Sequence, residues 1–182
     1  MWLVFMKILD IGCGLNKYKS NDASDKIIGL DACKLSGVDV VHNLDDIPLP
    51  FESSTFDLVI SNHCLEHIDN VVGLIDDIGR ILKSGAILSV QVPHFSSRLA
   101  YGDLTHKKFF SLHSFDNFID GAEFSKTNYI SKSRFVMIER KIRLSKYLKP
   151  IEMIFNMIPD VWEKTLLKNM FSSCLEFKLR KI

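Results

Sequence analysis

Apolar residues recur along the chain in short blocks. Residues 6–11 (MKILDI), 26–31 (KIIGLD), 38–42 (VDVVH), 56–61 (FDLVIS) and 86–93 (AILSVQVP) are rich in Val, Ile and Leu. Near-continuous apolar runs of that length predict strands of a parallel sheet covered on both faces. Two later blocks, 135–144 (FVMIERKIRL) and 174–182 (CLEFKLRKI), alternate apolar with polar positions. A period of two predicts half-exposed strands, here an antiparallel edge pair. Between the fourth and fifth blocks, Val71, Leu74, Ile75, Ile78 and Leu82 fall at helical spacing, and Ser84–Gly85 predicts the stop. Strands joined by crossovers predict an α/β fold, a doubly wound and mostly parallel sheet with helices on both faces.

Length and composition narrow this to one domain over residues 1–182, with 47% apolar residues to supply a sizeable core. The four cysteines are scattered and form no C-x-x-C pair, which fits a reducing compartment and predicts a cytoplasmic protein. No apolar run approaches the ~18–20 residues of a membrane span. Charge is uneven. Residues 1–77 hold 5 basic against 13 acidic residues, and residues 78–182 hold 18 against 9. Eight basic residues and one acid fall between 126 and 149. That stretch reads as the solvated face of the alternating strands, or as a patch for phosphate, an anionic headgroup or RNA. The nearly all-apolar stretch 147–159 is expected to be core or a dimer face.

The first strand ends in Asp10, and Gly12 and Gly14 follow within LDIGCGLNK. In an open α/β sheet, ligands sit beyond the carboxyl ends of the strands, and glycine lets the backbone turn and approach them. Asp31 ends the second block 19 residues after Gly12, the spacing at which an acid meets ribose hydroxyls. A dinucleotide fingerprint would place a third glycine at position 17, where Lys17 stands, and residues 15–24 are too polar for a firm helix. No pyrophosphate cradle is expected, and a nucleoside-type ligand without phosphates remains.

These residues, read together, resemble a known family. LDIGCG, IIGLD, IPLPFESSTFDLVISNHCLEHI and RILKSGAILSVQVP, in that order over residues 6–93, resemble the class I S-adenosylmethionine-dependent methyltransferases of small-molecule type. The resemblance implies a Rossmann-like sheet of about seven strands with the last inserted antiparallel, and S-adenosyl-L-methionine as cofactor. It implies that Asp10, Gly12 and Gly14, with Cys13 between them, line the methionine end. Asp31 would hold the ribose, Asn43 and Leu44 the adenine, and Ser61 the methionine amine. The chain departs from the family pattern at Asn16, where a third glycine is usual, and at Asn43, where an acid is common and Asp45 is the alternative. The first strand begins near residue 6, so a segment other than an N-terminal cap must cover the cofactor.

The implied acceptor is a small molecule, a sugar or a lipid-linked group. No Asn/Asp-Pro-Pro-Tyr/Phe or Pro-Cys motif for base methylation is present, so nucleic acid is not favoured. An RNA methyltransferase using residues 126–149, or a non-catalytic module keeping the cofactor fold, are the alternatives. Residues 94–134 follow the fifth strand and are read as a substrate-side insertion or lid. Within it His106 is the expected base, His94 the second choice, and Asp103 orients one of them. HCLEH at 63–67 spells H-x-x-E-H but directly follows a strand, and no ligand convergence is legible, so no metal site is expected. Glu66 and His67 are expected to brace the loop or face the acceptor.

Overall fold

In the computed structural model, residues 5–122, 125, 131, 134–169 and 173–182 are described. Seven strands form one sheet: β1 (Lys7–Ile11), β2 (Lys26–Asp31), β3 (Val40–Val41), β4 (Phe56–Asn62), β5 (Leu82–Pro93), β6 (Phe135–Arg143) and β7 (Cys174–Lys181). Their order is β3-β2-β1-β4-β5-β7-β6. The first five pair in parallel, and β7 lies antiparallel between β5 and β6. This is the expected sheet, with the last strand inserted antiparallel.

The main helix, α1 (Val71–Ile81), joins β4 to β5. Leu74, Ile75, Ile78 and Ile81 are fully buried on its inner stripe, and the Asn70 side chain caps its start by accepting the Gly73 N–H. The helix ends earlier than the periodicity predicts. Leu82 is already extended and pairs with Phe56, and Gly85, at φ +79°, lets the strand bend before it resumes beside β4. Three shorter helices follow: α2 (Arg98–Tyr101), α3 (Lys149–Met157) and α4 (Pro159–Lys164). No helix lies between β1 and β2. Residues 12–25 return as an irregular loop.

On one sheet face Leu88, Val90 and Val92 of β5 continue into Leu175, Phe177 and Leu179 of β7, all of them buried. Phe110, Leu112, Phe115 and Phe118 join that core, with the Phe115 and Phe177 rings 4.6 Å apart. Phe109, by contrast, is half-exposed. The alternate residues of β7 and β6 form ion pairs on the opposite face, including Lys178–Glu139 and Arg143–Glu176. The basic stretch is therefore largely neutralised within the chain. Arg134, Arg140, Lys141, Arg143 and Lys149 each contact a carboxylate, and Lys146 lies over Tyr147. Lys126 and Lys132 lie outside the described residues.

Stretch 147–159 is only partly core. Phe155 is buried, but Met153, Ile154 and Met157 face outward. Its inner side covers the free edge of β6. The Asn156 amide accepts the Ile142 N–H at 2.8 Å and donates to the Ile142 carbonyl at 2.9 Å, as a neighbouring strand would. Asn156→Ala leaves both groups without that partner and is expected to lower stability by about 1–3 kcal/mol. Chemical denaturation measures it, and an unchanged midpoint would show that the edge does not depend on this side chain.

Candidate active site

Because β1, β2 and β4 run parallel, the loops after their carboxyl ends meet at one edge of the sheet. The turn after β1 is fastened there to β2. Gly12 and Cys13 both donate backbone N–H groups to the Leu30 carbonyl, at 2.8 and 3.2 Å. The Gly14 N–H donates to Asp31 Oδ2 at 3.0 Å, and the Cys33 N–H to Oδ1 at 2.9 Å. Gly12 must be glycine on two grounds. Its φ is +64°, and a Cβ there would stand 2.4 Å from Cys64 Sγ. Asp10 is buried beneath this turn and accepts the Tyr18 N–H at 2.7 Å, which returns the loop to the sheet. Burial raises its carboxyl above the usual range despite that bond.

A cavity of about 230 Å³ opens above the turn. Gly12, Asp31, Ala32, Asn43 and Leu44 line one side, and His63, Cys64, His67 and Ile68 the other. Four predicted residues, Gly12, Asp31, Asn43 and Leu44, thus converge. Asp10, Cys13, Gly14 and Ser61 are not on its wall. Cys13 Sγ is turned against Gly29 of β2, and burial pushes its thiol up to about 11. Ser61 is fully buried opposite Ile11, and its Oγ has no partner among the described residues. Asp45, the alternative to Asn43, accepts the N–H groups of Asp69 and Asn70 and so holds the approach to α1.

His63 and His67 are shared with a second, larger cavity of about 690 Å³. Glu66, Pro93, Arg98, Leu99, Asp103 and His106 also line it. The turn that carries His63 is strained, with φ +51° at a non-glycine residue. The Cys174 sulfur and then the Glu66 carboxylate raise the His63 imidazole to about 10. Residues 106–108 are docked on this turn by the Lys107 and Lys108 N–H groups, which donate to the Glu66 carbonyl at 2.7 and 3.0 Å. His106 is thereby set beside His67, ring centroids 4.7 Å apart.

Hydrogen bonds engage Nδ1 of both rings. His106 Nδ1 lies 3.0 Å from the Ala100 carbonyl, which can only accept, so Nδ1 carries a proton and Nε2 is the nitrogen this bond leaves unused. Thr105 donates its hydroxyl to Asp103 at 2.7 Å, and its oxygen accepts from His67 Nδ1 at 3.0 Å, which leaves His67 Nε2 in the same state. Asp103 thus orients His67 through Thr105, and not His106.

His94 lies in a different setting. It is fully buried away from both cavities, bonded to Ser96 Oγ at 2.8 Å and Glu163 Oε1 at 3.0 Å, with its ring 4.7 Å from Trp162. Glu163 also accepts the Leu112 N–H, so this pair ties the end of β5 to α4. His113 is likewise held by Asp116 and Asp160. Sequence reasoning missed Ala32, His63, Cys64 and Ile68 as cavity wall. The signal was HCLEH directly after β4, at the same sheet edge as the glycine turn.

A seven-stranded sheet with an inserted antiparallel strand, and a glycine turn that faces an acid at the tip of β2, defines the class I S-adenosylmethionine-dependent methyltransferase architecture. The chain belongs to that family: the model described as "Methyltransferase domain" matches residues 9–90. It is 32% identical over 161 residues to the uncharacterized protein MJ0638 of Methanocaldococcus jannaschii, covering 80% of this chain and 69% of that one. Its fold is similar to a SAM-dependent methyltransferase from Archaeoglobus fulgidus, with a TM-score of 0.62, 16% identity, and 97% and 86% of the two chains covered. It is also similar to the cyclase SpnF, with a TM-score of 0.60, 14% identity, and coverage of 97% and 75%.

S-adenosylmethionine is the family's cofactor, and the residues at this cavity suit its nucleoside end. Asp31 has used two of about four acceptor positions on backbone N–H groups, which leaves capacity for two ribose hydroxyls. Leu44 is an apolar neighbour for a flat base. The absence of a Cβ at Gly12 keeps the floor open.

Two outcomes follow from the geometry. Asp31→Ala should weaken S-adenosylhomocysteine binding by roughly 1.5–3 kcal/mol, the range for bonds to a charged group, and calorimetry on the folded variant measures it. Unchanged affinity would take Asp31 out of the site. His94→Ala should instead lower thermal stability by about 2–3 kcal/mol and leave that affinity unchanged. Loss of binding in a stable variant would return His94 to the site.

Proposed function

We propose that the chain methylates a small-molecule, sugar or lipid-linked acceptor held in the larger cavity. The observation that carries this is the shared wall. His63 and His67 border both the cofactor cavity and the larger chamber, so an acceptor there would lie next to the methionine end. The bound cofactor supplies an electrophilic methyl group on a sulfonium. The chain's own residues must hold both reactants in line, exclude water and accept a proton. Asp31, Asn43 and Leu44 position the nucleoside end. Gly12 and the turn it belongs to bound the other end, with Asp10 and Gly14 fixing that turn from behind.

Residues 98–106 form the acceptor-side wall of the proposed insertion. His106, whose Nε2 is left unused by the bond to Ala100, is the proposed base, and His67 stands beside it with Nδ1 likewise engaged. Arg98 offers a positive charge at the chamber wall for an anionic acceptor group. The same segment leaves Leu99, Tyr101 and Leu104 exposed, and Leu104 is 99% accessible. An apolar rim beside a polar chamber favours a lipid-linked acceptor within the proposed class. The paired basic residues of 134–149 count against an RNA-binding patch.

The test is a panel of hydroxylated metabolites, sugars and lipid-linked sugars, followed by release of S-adenosylhomocysteine. On an accepted substrate, His106→Ala should cut turnover by about 100-fold, the lower end for a lost base, with cofactor affinity unchanged. Wild-type turnover in that variant would leave catalysis to placement alone. Because the fold also serves SpnF, a cyclase, failure of the whole panel with intact cofactor binding would point to a different reaction on the same scaffold.

A further inference from the structure

We propose that Glu66, His67 and His106 form a binding site for one divalent transition-metal ion of the zinc class. All three residues line the larger cavity, and one ligand atom from each lies within 4.8 Å of the others. Two imidazoles and one carboxylate are the donor set of open zinc sites, which keep a further position for water or substrate. Ligands about 2.0–2.2 Å from an ion stand closer together than this, so binding would draw the three inward by about an ångström.

The stronger argument is the state of each ligand atom. Glu66 is fully buried, and its Oε1 faces His63 Nδ1 at 3.3 Å. Its Oε2 is buried with no hydrogen-bond partner among the described residues. A buried carboxylate oxygen without a donor is strongly unfavourable, and a cation satisfies it directly. The two histidines are complementary. Each has Nδ1 engaged, by the Ala100 carbonyl in one case and by Thr105 and Asp103 in the other. Those contacts use Nδ1 as a donor and leave Nε2 as the nitrogen to meet an ion, and they are the outer contacts that metal-binding histidines characteristically make. His63, strained and set on Oε1, holds the carboxylate so that Oε2 is the oxygen left over.

The backbone explains why the cluster was invisible in sequence. Glu66 and His67 are adjacent on a short turn, but His106 is 39 positions further on. It arrives only because Lys107 and Lys108 dock on the Glu66 carbonyl. The site itself does not rest on the methyltransferase reading, though its use does. An acceptor hydroxyl bound to the ion would lose its proton to solvent with the ion's help, and His106 would then be a ligand and not a base.

The test is titration of tag-free, metal-stripped protein with Co²⁺, read by visible ligand-field absorption, and with Zn²⁺, read by calorimetry. One ion per chain with micromolar or tighter affinity is expected. His67→Ala, His106→Ala and the near-isosteric Glu66→Gln should each weaken binding by at least 10- to 100-fold, with folding checked by circular dichroism. His42→Ala, at a part-exposed histidine bonded to the Asp46 carbonyl and outside the cluster, should bind as wild type does. No stoichiometric binding below about 1 mM, or wild-type affinity in all three site variants, would overturn the proposal. S-adenosylhomocysteine binding is measured on the same samples. If it persists where metal binding fails, only the metal site is lost. If metal binds and S-adenosylhomocysteine does not, only the cofactor reading is lost. On an accepted substrate, inactivation by a chelator and recovery with Zn²⁺ would assign the ion to turnover. Full activity in the stripped protein would restore His106 to the role of base.

Discussion

The Asp31 carboxylate closes the site before any ligand arrives. It receives the Gly14 N–H from the turn after β1 and the Cys33 N–H from the turn after β2, so two adjacent strand ends share one anionic clamp. In many α/β folds a helix packed across the sheet steadies the first turn. Here residues 12–25 contain none, and the turn is fixed from its sides. Leu30 accepts two of its backbone N–H groups, Asp31 a third, and Cys64 presses against Gly12 from the turn after β4. The cavity wall therefore inherits its rigidity from the sheet, which suits a site that must hold a reacting atom in place.

That arrangement also accounts for the missing third glycine. A helix packing closely on the sheet would need a small residue at its own contact. In this chain the small residue is on the strand. The Lys17 stem lies over Gly29 of β2, where a Cβ would stand 2.7 Å from Lys17 Cδ, and its ammonium pairs with Asp39. Asp39 in turn accepts the Gly29 N–H. Lys17 and Asn16 are not lapses from a motif. They belong to a loop that replaces the usual helix.

The strands were legible because burial on one or both faces writes itself into local period. β2 is matched residue for residue, and the two alternating blocks are the antiparallel pair with polar outer faces. The end of α1 was not legible, because strand pairing of Leu82 with Phe56 overrode a helical spacing that Leu82 itself continues. Of the site, the glycine turn and Asp31 could be read from spacing, whereas the Asn43–Leu44 turn followed only from the family resemblance. The opposite wall could not. His94 and His106 look alike in sequence, yet one is locked to Glu163 in the core and the other reaches the chamber. Asp103 stands three residues before His106 but serves His67, because Thr105 carries its hydrogen bond across. Long-range docking of this kind leaves no local period.

The proposed binding mode sets the cofactor against the clamp at the tips of β1 and β2, with its reacting end toward the wall shared by the two cavities. A crystal structure of the chain with S-adenosylhomocysteine measures this most directly. The account predicts the ribose hydroxyls on the Asp31 carboxylate, the adenine beside Leu44, and the sulfur on the side of His63 and His67. A ligand bound elsewhere, or bound in this cavity in the reverse orientation with no contact to Asp31, would contradict it.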